Sequence, residues 1–360
     1  MPYPANYGGV IDVFYKLKNL HKAGVKITLH CFEYGRDHQK ELEKYCEAVY
    51  YYKRNTSVLN QLSPIPFIVK SRVSEELMTN LLKDSHPILF EGLHTCYYIN
   101  DKRITNRKKI YRESNIEHDY YAHLAKSEKD FLKKVYFGLE ASKLHKFQSQ
   151  LVHADLMLVV STADRDYLQQ QFPKNKIDYL PSFHAFDEVT SKTGKGSYIL
   201  YNGNLQVGEN IKALEYLIQH VFSKINHPVI IAGLNPSQEI YSWVKDFSHI
   251  KIIANPTEAE MQTLIEDAQL HCLYTHQPTG LKLKLLNVLY SGRFCICNND
   301  MLIGTNLEAA CIVKNTAQEM VDAINNSFQK EFTQELIDLR KQVLQAFDNN
   351  LKTQQLISYL

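Results

Sequence analysis

Nowhere in the 360 residues does an apolar run approach the ~20 residues that a helix needs to cross a bilayer. The first residues also lack the basic region, apolar core and small-residue cleavage site of a secretory leader. The chain is therefore expected in the cytoplasm, peripheral at a membrane if it meets one. An excess of charge of one sign is missing as well: the net charge is +2, which gives no argument for nucleic acid. Seven cysteines, an odd number without a C-x-x-C pair, fit reduced thiols better than a disulfide framework. The His and Cys spacings match no zinc site. No P-loop signature is present, and Gly194 and Gly196 precede a strand pattern rather than follow one, so they are no dinucleotide fingerprint.

What is present is an ordinary soluble composition, 44% hydrophobic and 22% charged, in a chain long enough for two cores. Stretches 25–32, 48–52, 87–90, 108–111, 154–161 and 177–180 read as strands, with helical patterns at 73–83 and over 120–146. The polar, glycine-containing stretch 186–196 reads as a linker. Beyond it, strands are expected at 197–201, 229–232, 250–254, 271–274, 294–297 and 311–313, with a turn at 202–204 and a helix over 209–222. Thr257 with Glu260 and Thr316 with Glu319 have the spacing of capping boxes. A final helix is expected over 332–356, with Leu336, Leu339, Val343, Leu344, Phe347 and Leu351 as its apolar stripe. Strands alternating with helices predict α/β domains with parallel sheets.

Two stretches draw attention to chemistry. Residues 271–298 read as strand, turn, helix, glycine stop and strand. Within them, Lys282 and Lys284 fall in or near the first turn of the helix, where a cation opposes the helix dipole unless an anion sits in front of that turn. The pair reads as a diphosphate seat or as two solvated lysines. Near the start, Gly8 and Gly9 open a helical pattern carrying Val10, Val13, Phe14, Leu17 and Leu20. Backbone N–H groups can approach an anion or a sugar closely there, although a Gly-Gly pair by itself is more often a turn.

With these residues in view, the chain resembles the retaining GT-B glycosyltransferases of glycosyltransferase family four. Gly280, Lys282, Lys284 and Gly292 match the family's G-x-K-x-K segment, helix and following glycine. The family's helix Glu falls on Asn287. Pro4, Gly8 and Gly9 resemble its P-x-x-x-G-G loop, and residues 201–205 followed by Glu209 and Asn210 resemble its G-N-L loop and helix start. Residues 112–121 resemble an R-x-H-N-x-E-x-x-Y-Y block in which the family's His is Ser114.

The resemblance implies two Rossmann-like doubly wound domains facing across a cleft. These would be an acceptor-side domain at 1–185, a nucleotide-sugar-binding domain at 186–330 and a tail at 331–360 crossing back to the first. Because Met1 already lies in the glycine loop, the first sheet is expected to lack its initial strand. It implies a metal-independent retaining hexosyltransferase, with a nucleotide-diphosphate sugar as donor substrate, no cofactor, and a glycan or lipid-linked acceptor in surface polysaccharide biosynthesis. Gly8, Gly9, Gly203, Asn204, Asn255, Gly280, Lys282, Lys284 and Asn287 would hold the donor. His94, Lys282 and Lys284 would act in catalysis, and Arg112, Asn115, Glu117 and His118 would meet sugar and acceptor.

Asp164-Arg165-Asp166 imitates the D-x-D metal motif of the other large glycosyltransferase fold, but it opens a helix, where Asp is favoured by capping and dipole, so no metal is predicted. Lys102, Arg103, Arg107, Lys108 and Lys109 form a basic run, either a solvated loop or a contact with anionic lipid. The alternatives to a transferase are a non-catalytic GT-B subunit that binds a sugar nucleotide or a partner, and a nucleotide-sugar epimerase.

Overall fold

The computed structural model describes residues 1–5, 8–33, 35–276 and 283–360. The chain forms two compact units, Met1–Ala185 with Phe347–Leu360, and Phe186–Ala346.

In the first unit, β1 (Thr28–Glu33) pairs in parallel with β2 (Ala48–Lys53). A separate parallel sheet has the order β3 (Ile88–Glu91), β4 (Lys109–Glu113), β5 (Leu156–Val159), β6 (Lys176–Tyr179). Every residue of β4 and β5 is buried; β5 reads as an unbroken apolar run, whereas β4 also buries Lys109, Arg112 and Glu113. Helix Gly8–Lys22 buries Val10, Phe14, Leu17 and Leu20, but the same side also buries Asp12 and Lys16. Gly24, at φ 84°, stops the chain just beyond this helix.

The second unit is one six-stranded parallel sheet in the order β12-β11-β10-β7-β8-β9. Its strands are β7 (Ile199–Asn204), β8 (Val229–Leu234), β9 (Ile250–Ala254), β10 (Leu270–Leu273), β11 (Phe294–Cys297) and β12 (Ile312–Val313). Ile199, Tyr201, Leu214, Leu217, Ile231 and Leu270 lie at the centre of its core. Both capping boxes are present, each with the Thr hydroxyl accepting from the N3 backbone and the Glu reaching back.

Two expectations change. The turn expected at 202–204 is the end of β7, where Gly203 pairs with Gly233 and Asn204 with Leu234. A Cβ on Gly233 would fall 2.1 Å from the carbonyl oxygen of Gly203, so only glycine lets the strands stay paired there. The long final helix is instead Gln334–Val343, a 3-10 turn Leu344–Phe347, and Asn349–Ile357. Asp348 caps the last segment by accepting from the Leu351 amide, which restarts the helix. That last segment places Leu356 against Leu20, Leu158, Leu180 and Phe183 of the first unit.

Candidate functional site

In the second unit the predicted donor residues gather at the carboxyl ends of the strands, the place where open α/β sheets bind ligands. Lys284 lies in the first turn of helix Leu283–Ser291, and its ammonium donates to Asn210 Oδ1 at 3.2 Å. The same nitrogen stands 5.9 Å from the ring centroid of the fully buried Tyr201. Asn210 Nδ2 donates to the Asn204 carbonyl at 3.0 Å, and the Tyr201 hydroxyl donates to the Asn210 carbonyl at 2.8 Å. Lys284, Asn210, Asn204 and Gly203 are thus tied together although about 80 residues separate the first from the last.

Thr275, just past β10, donates its hydroxyl to Glu209 Oε1. Its backbone is clamped by Asn298, which donates to the Thr275 carbonyl at 2.7 Å and accepts from its amide at 3.3 Å. Asn287 Oδ1 is buried and accepts no hydrogen bond from the described residues. An orphaned buried acceptor costs about 1–3 kcal/mol, and a ligand donor reaching it would recover that cost. Gly280 and Lys282 lie outside the described residues.

Asn255 has another occupation. At φ 52° it uses its side chain to accept from the Asn235 amide at 2.7 Å, and Asn235 is itself at φ 47°. It is a turn residue, where Asn tolerates the left-handed region.

In the first unit, β3 ends at Gly92, whose φ of 83° turns the chain into the segment bearing His94. His94 Nδ1 lies 3.0 Å from Glu117 Oε1, and Glu117 sits in the first turn of helix Glu117–Ser127. The His94 side chain is 35% exposed and that of Glu117 only 10%, so the carboxylate lies beneath the ring and the ring meets solvent. Beside this pair, burial and then the Glu117 charge raise Glu113 well above the usual carboxylate range. The Tyr111 hydroxyl is 2.5 Å from Glu113 Oε2, while Oε1 accepts no side-chain hydrogen bond among the described residues. Asn115 Oδ1 accepts from the exposed Ser114 at 3.2 Å. Gly8 and Gly9 are exposed in the first turn of helix Gly8–Lys22.

Two residues expected to meet substrate do not stand open. Arg112 is 1% exposed and donates to the carbonyls of Leu180 and Pro181 and to Asp12 Oδ2, the last at 3.4 Å. Asp12 also accepts from the Phe183 amide at 2.6 Å and pairs with Lys16 at 3.6 Å, and Lys16 pairs with Glu91 at 2.7 Å. Arg112 therefore belongs to a buried ionic network. His118 packs edge-on against His145, with ring centroids 4.6 Å apart, and lies 3.4 Å from the Tyr167 hydroxyl. Burial lowers its pKa and disfavours the charged ring.

The basic run is largely committed too. Arg103 pairs with Asp101 at 2.7 Å and Glu75 at 2.9 Å, Arg107 pairs with Asp84 at 2.7 Å, and Lys109 is buried.

Asp164 and Asp166 lie near the start of helix Thr162–Gln171, capped by Ser161, and Asp166 pairs with Arg165 at 3.0 Å. Sequence reasoning missed Glu113, a buried acid at the end of β4. It also missed the grouping of Cys295, Cys297 and Cys311, whose sulfurs lie within 4.8 Å of one another. Alternation along β11 puts the first two on one face, and only the pairing with β12 adds the third.

No protein-family model matches the chain. A protein of Klebsiella pneumoniae described as an uncharacterized 44.6 kDa protein in the cps region is 25% identical, over 97% of each chain. Among solved structures, sucrose-phosphate synthase from Thermosynechococcus elongatus superposes with a TM-score of 0.68 at 12% identity, over 98% of this chain and 93% of that one. HepE of Anabaena, solved with UDP and glucose, gives 0.64 at 11% identity over 98% and 96%. TarM of S. aureus, in a complex that includes UDP, gives 0.58 at 14% over 81% and 58%. These likenesses show a shared architecture: the chain has the α/β GT-B glycosyltransferase fold, with a parallel sheet in each unit.

Proposed function

We propose that this protein transfers a sugar from a nucleotide-diphosphate sugar to a glycan or lipid-linked acceptor. The observation that carries this is the Lys284–Asn210–Asn204 linkage, which pins a cation in the first turn of a helix at the carboxyl edge of the sheet. A cation in that position is unfavourable to the helix by itself and becomes favourable when a diphosphate occupies the helix N-terminus. HepE has also been solved with UDP-glucose, and it superposes over 99% of this chain with a TM-score of 0.65.

In this reading Lys284, with Lys282, holds the diphosphate and stabilises the negative charge that develops on the leaving nucleotide, an electrostatic role that asks nothing of a metal. Asn287 accepts from the ribose hydroxyls through its orphaned Oδ1. Asn115 meets the acceptor side. Glu117 holds the His94 ring in the tautomer with Nδ1–H toward the carboxylate, which leaves Nε2 to accept from a sugar hydroxyl. Retention of configuration and a role in surface polysaccharide assembly complete the proposal, and the cps-region relative is in keeping with the latter.

A panel of UDP-, GDP- and other nucleotide sugars tests the proposal by thermal stabilisation of wild type, Lys284→Ala and Lys282→Ala/Lys284→Ala. A donor at 100 times its Kd should add about 2.7 kcal/mol, and the gain should disappear in the double variant. No stabilisation by any donor sinks the donor site. The second reading, a non-catalytic subunit of the same fold, is favoured by Asn287 and Ser114 standing where the resembled family has Glu and His. Asn287→Glu separates the two: a gain in turnover marks a weakened but real transferase site, and donor binding with no turnover in either form marks the subunit.

A further inference from the structure

The five most exposed large apolar side chains among the described residues are Leu62, Leu132, Leu59, Phe131 and Val58, at 80, 78, 76, 74 and 71%. All five belong to two neighbouring segments of the first unit, the 3-10 turn Val58–Leu62 and the start of helix Phe131–Phe147. Val135 and Leu139, 45 and 59% exposed, continue the series along the helix. Phe131, Val135 and Leu139 stand at i, i+4 and i+8, so they line one face.

The two segments are fastened to each other. Lys143 Nζ donates to the Gln61 carbonyl and to Glu140 Oε1, both at 2.8 Å, and Glu140 Oε2 accepts from the Phe67 amide at 2.6 Å. Glu140 and Lys143 follow Leu139 within about one turn, so the 3-10 turn adjoins the far end of the row Phe131, Val135 and Leu139, and the exposed apolar side chains run as one elongated patch of the kind that marks an interaction site.

Charge identifies the occupant. Lys126, Lys129, Lys133 and Lys134 are exposed around the start of the helix. The nearby acids Glu128 and Asp130 cap the turn by accepting from the amides of Lys129, Asp130 and Lys133, and their two charges leave the four lysines in excess. Phenylalanine and leucine between lysines on a helix surface match the interface of an anionic bilayer, where the apolar side chains enter the acyl boundary and the ammonium groups stay among the headgroups.

We infer that the patch formed by Val58–Leu62 and the start of helix Phe131–Phe147 docks the protein on an anionic lipid surface. The inference stands apart from the transferase reading, because membrane docking requires no donor.

Co-sedimentation with vesicles of phosphatidylglycerol and phosphatidylcholine, against phosphatidylcholine alone, tests it. Wild type should partition at least tenfold more strongly onto the anionic vesicles. Leu59→Glu/Leu132→Glu and, separately, Lys133→Glu/Lys134→Glu should each lose about that factor. Both variants change only exposed side chains, and their melting temperatures, with and without nucleotide sugar, should match wild type. Absence of partitioning, equal partitioning onto both vesicles, or partitioning that survives Leu59→Glu/Leu132→Glu would overturn the inference. So would ultracentrifugation showing self-association that the same variant abolishes while vesicle binding is absent, since the patch would then belong to a second copy of the chain.

Discussion

Glu117 Oε1 stands 3.0 Å from Nδ1 of His94, and the two meet in a space that Gly92 leaves open, since a Cβ there would lie 2.7 Å from the His94 ring. The partly exposed ring is fixed from below by a carboxylate that has little solvent of its own. His94→Gln is expected to lower turnover by about 10²-fold, at the low end of what a positioned proton-transfer or hydrogen-bonding group contributes, with donor-induced stabilisation unchanged. Glu117→Gln should lower turnover less, because it alters the ring's partner and keeps the ring. Steady-state kinetics with thermal shifts on both variants would decide; a loss confined to melting temperature would reduce the pair to a structural contact.

Arg112 provides the contrast. Its guanidinium is buried against Asp12 and two carbonyls, so removing it leaves Asp12 and Lys16 without their arrangement. Arg112→Met is expected to cost about 3–5 kcal/mol, the range for breaking a buried ionic contact from one side. Urea unfolding measures this directly, and a variant of wild-type stability with weakened acceptor use would return Arg112 to the substrate side.

Glycine positions give a paired stability test. Gly233→Ala forces a Cβ onto the Gly203 carbonyl and should destabilise by about 1–3 kcal/mol or more, the range for overpacking against backbone. Gly138, inside helix Phe131–Phe147, has nothing within 4 Å of a Cβ. Gly138→Ala should therefore stabilise by about 0.5–1 kcal/mol. Opposite signs in chemical denaturation are the expected outcome.

Acid should weaken the fold through two histidines. Burial lowers His30 from 6.5 to about 4 and His271 from 6.5 to about 3. Below pH 6.5 the unfolded chain binds protons that the folded chain refuses. Their contribution is thus complete above pH 6.5 and is lost as pH falls toward 4 for His30 and 3 for His271. Each group adds a slope of about 1.4 kcal/mol per pH unit well inside its window. Urea midpoints at falling pH should follow this trend, and His271→Leu should make it shallower.

Much of this architecture was open to reading from local patterns. Thr257 with Glu260, and Thr316 with Glu319, act within a single helical turn, so their spacing alone identifies both helix starts. The inner strands β7, β8, β10 and β11 of the second unit are mostly buried and stand out as apolar runs. What stayed hidden depends on distant partners. Arg112 and Asp12 are 100 residues apart, and a motif placing Arg112 beside a site carries no information on its burial. The positive φ of Asn255 and its bond to the Asn235 amide, 20 residues away, are likewise not written in the local pattern. Asn204, Asn210 and Lys284 were each legible, but their linkage forms only when the loop after β7 meets the helix after β10.

The division of the first unit's sheet into two strands and four has a consequence for how the unit breathes. A two-stranded ribbon has little internal support and depends on what packs against it. Here that support is a small cluster in which Phe14, Leu17 and Leu42 meet Leu29, Tyr45 and Val49. The amides of Thr28–Glu33 and Ala48–Lys53 should therefore exchange with solvent deuterium through local openings, well before those of Lys109–Glu113 and Leu156–Val159 become accessible.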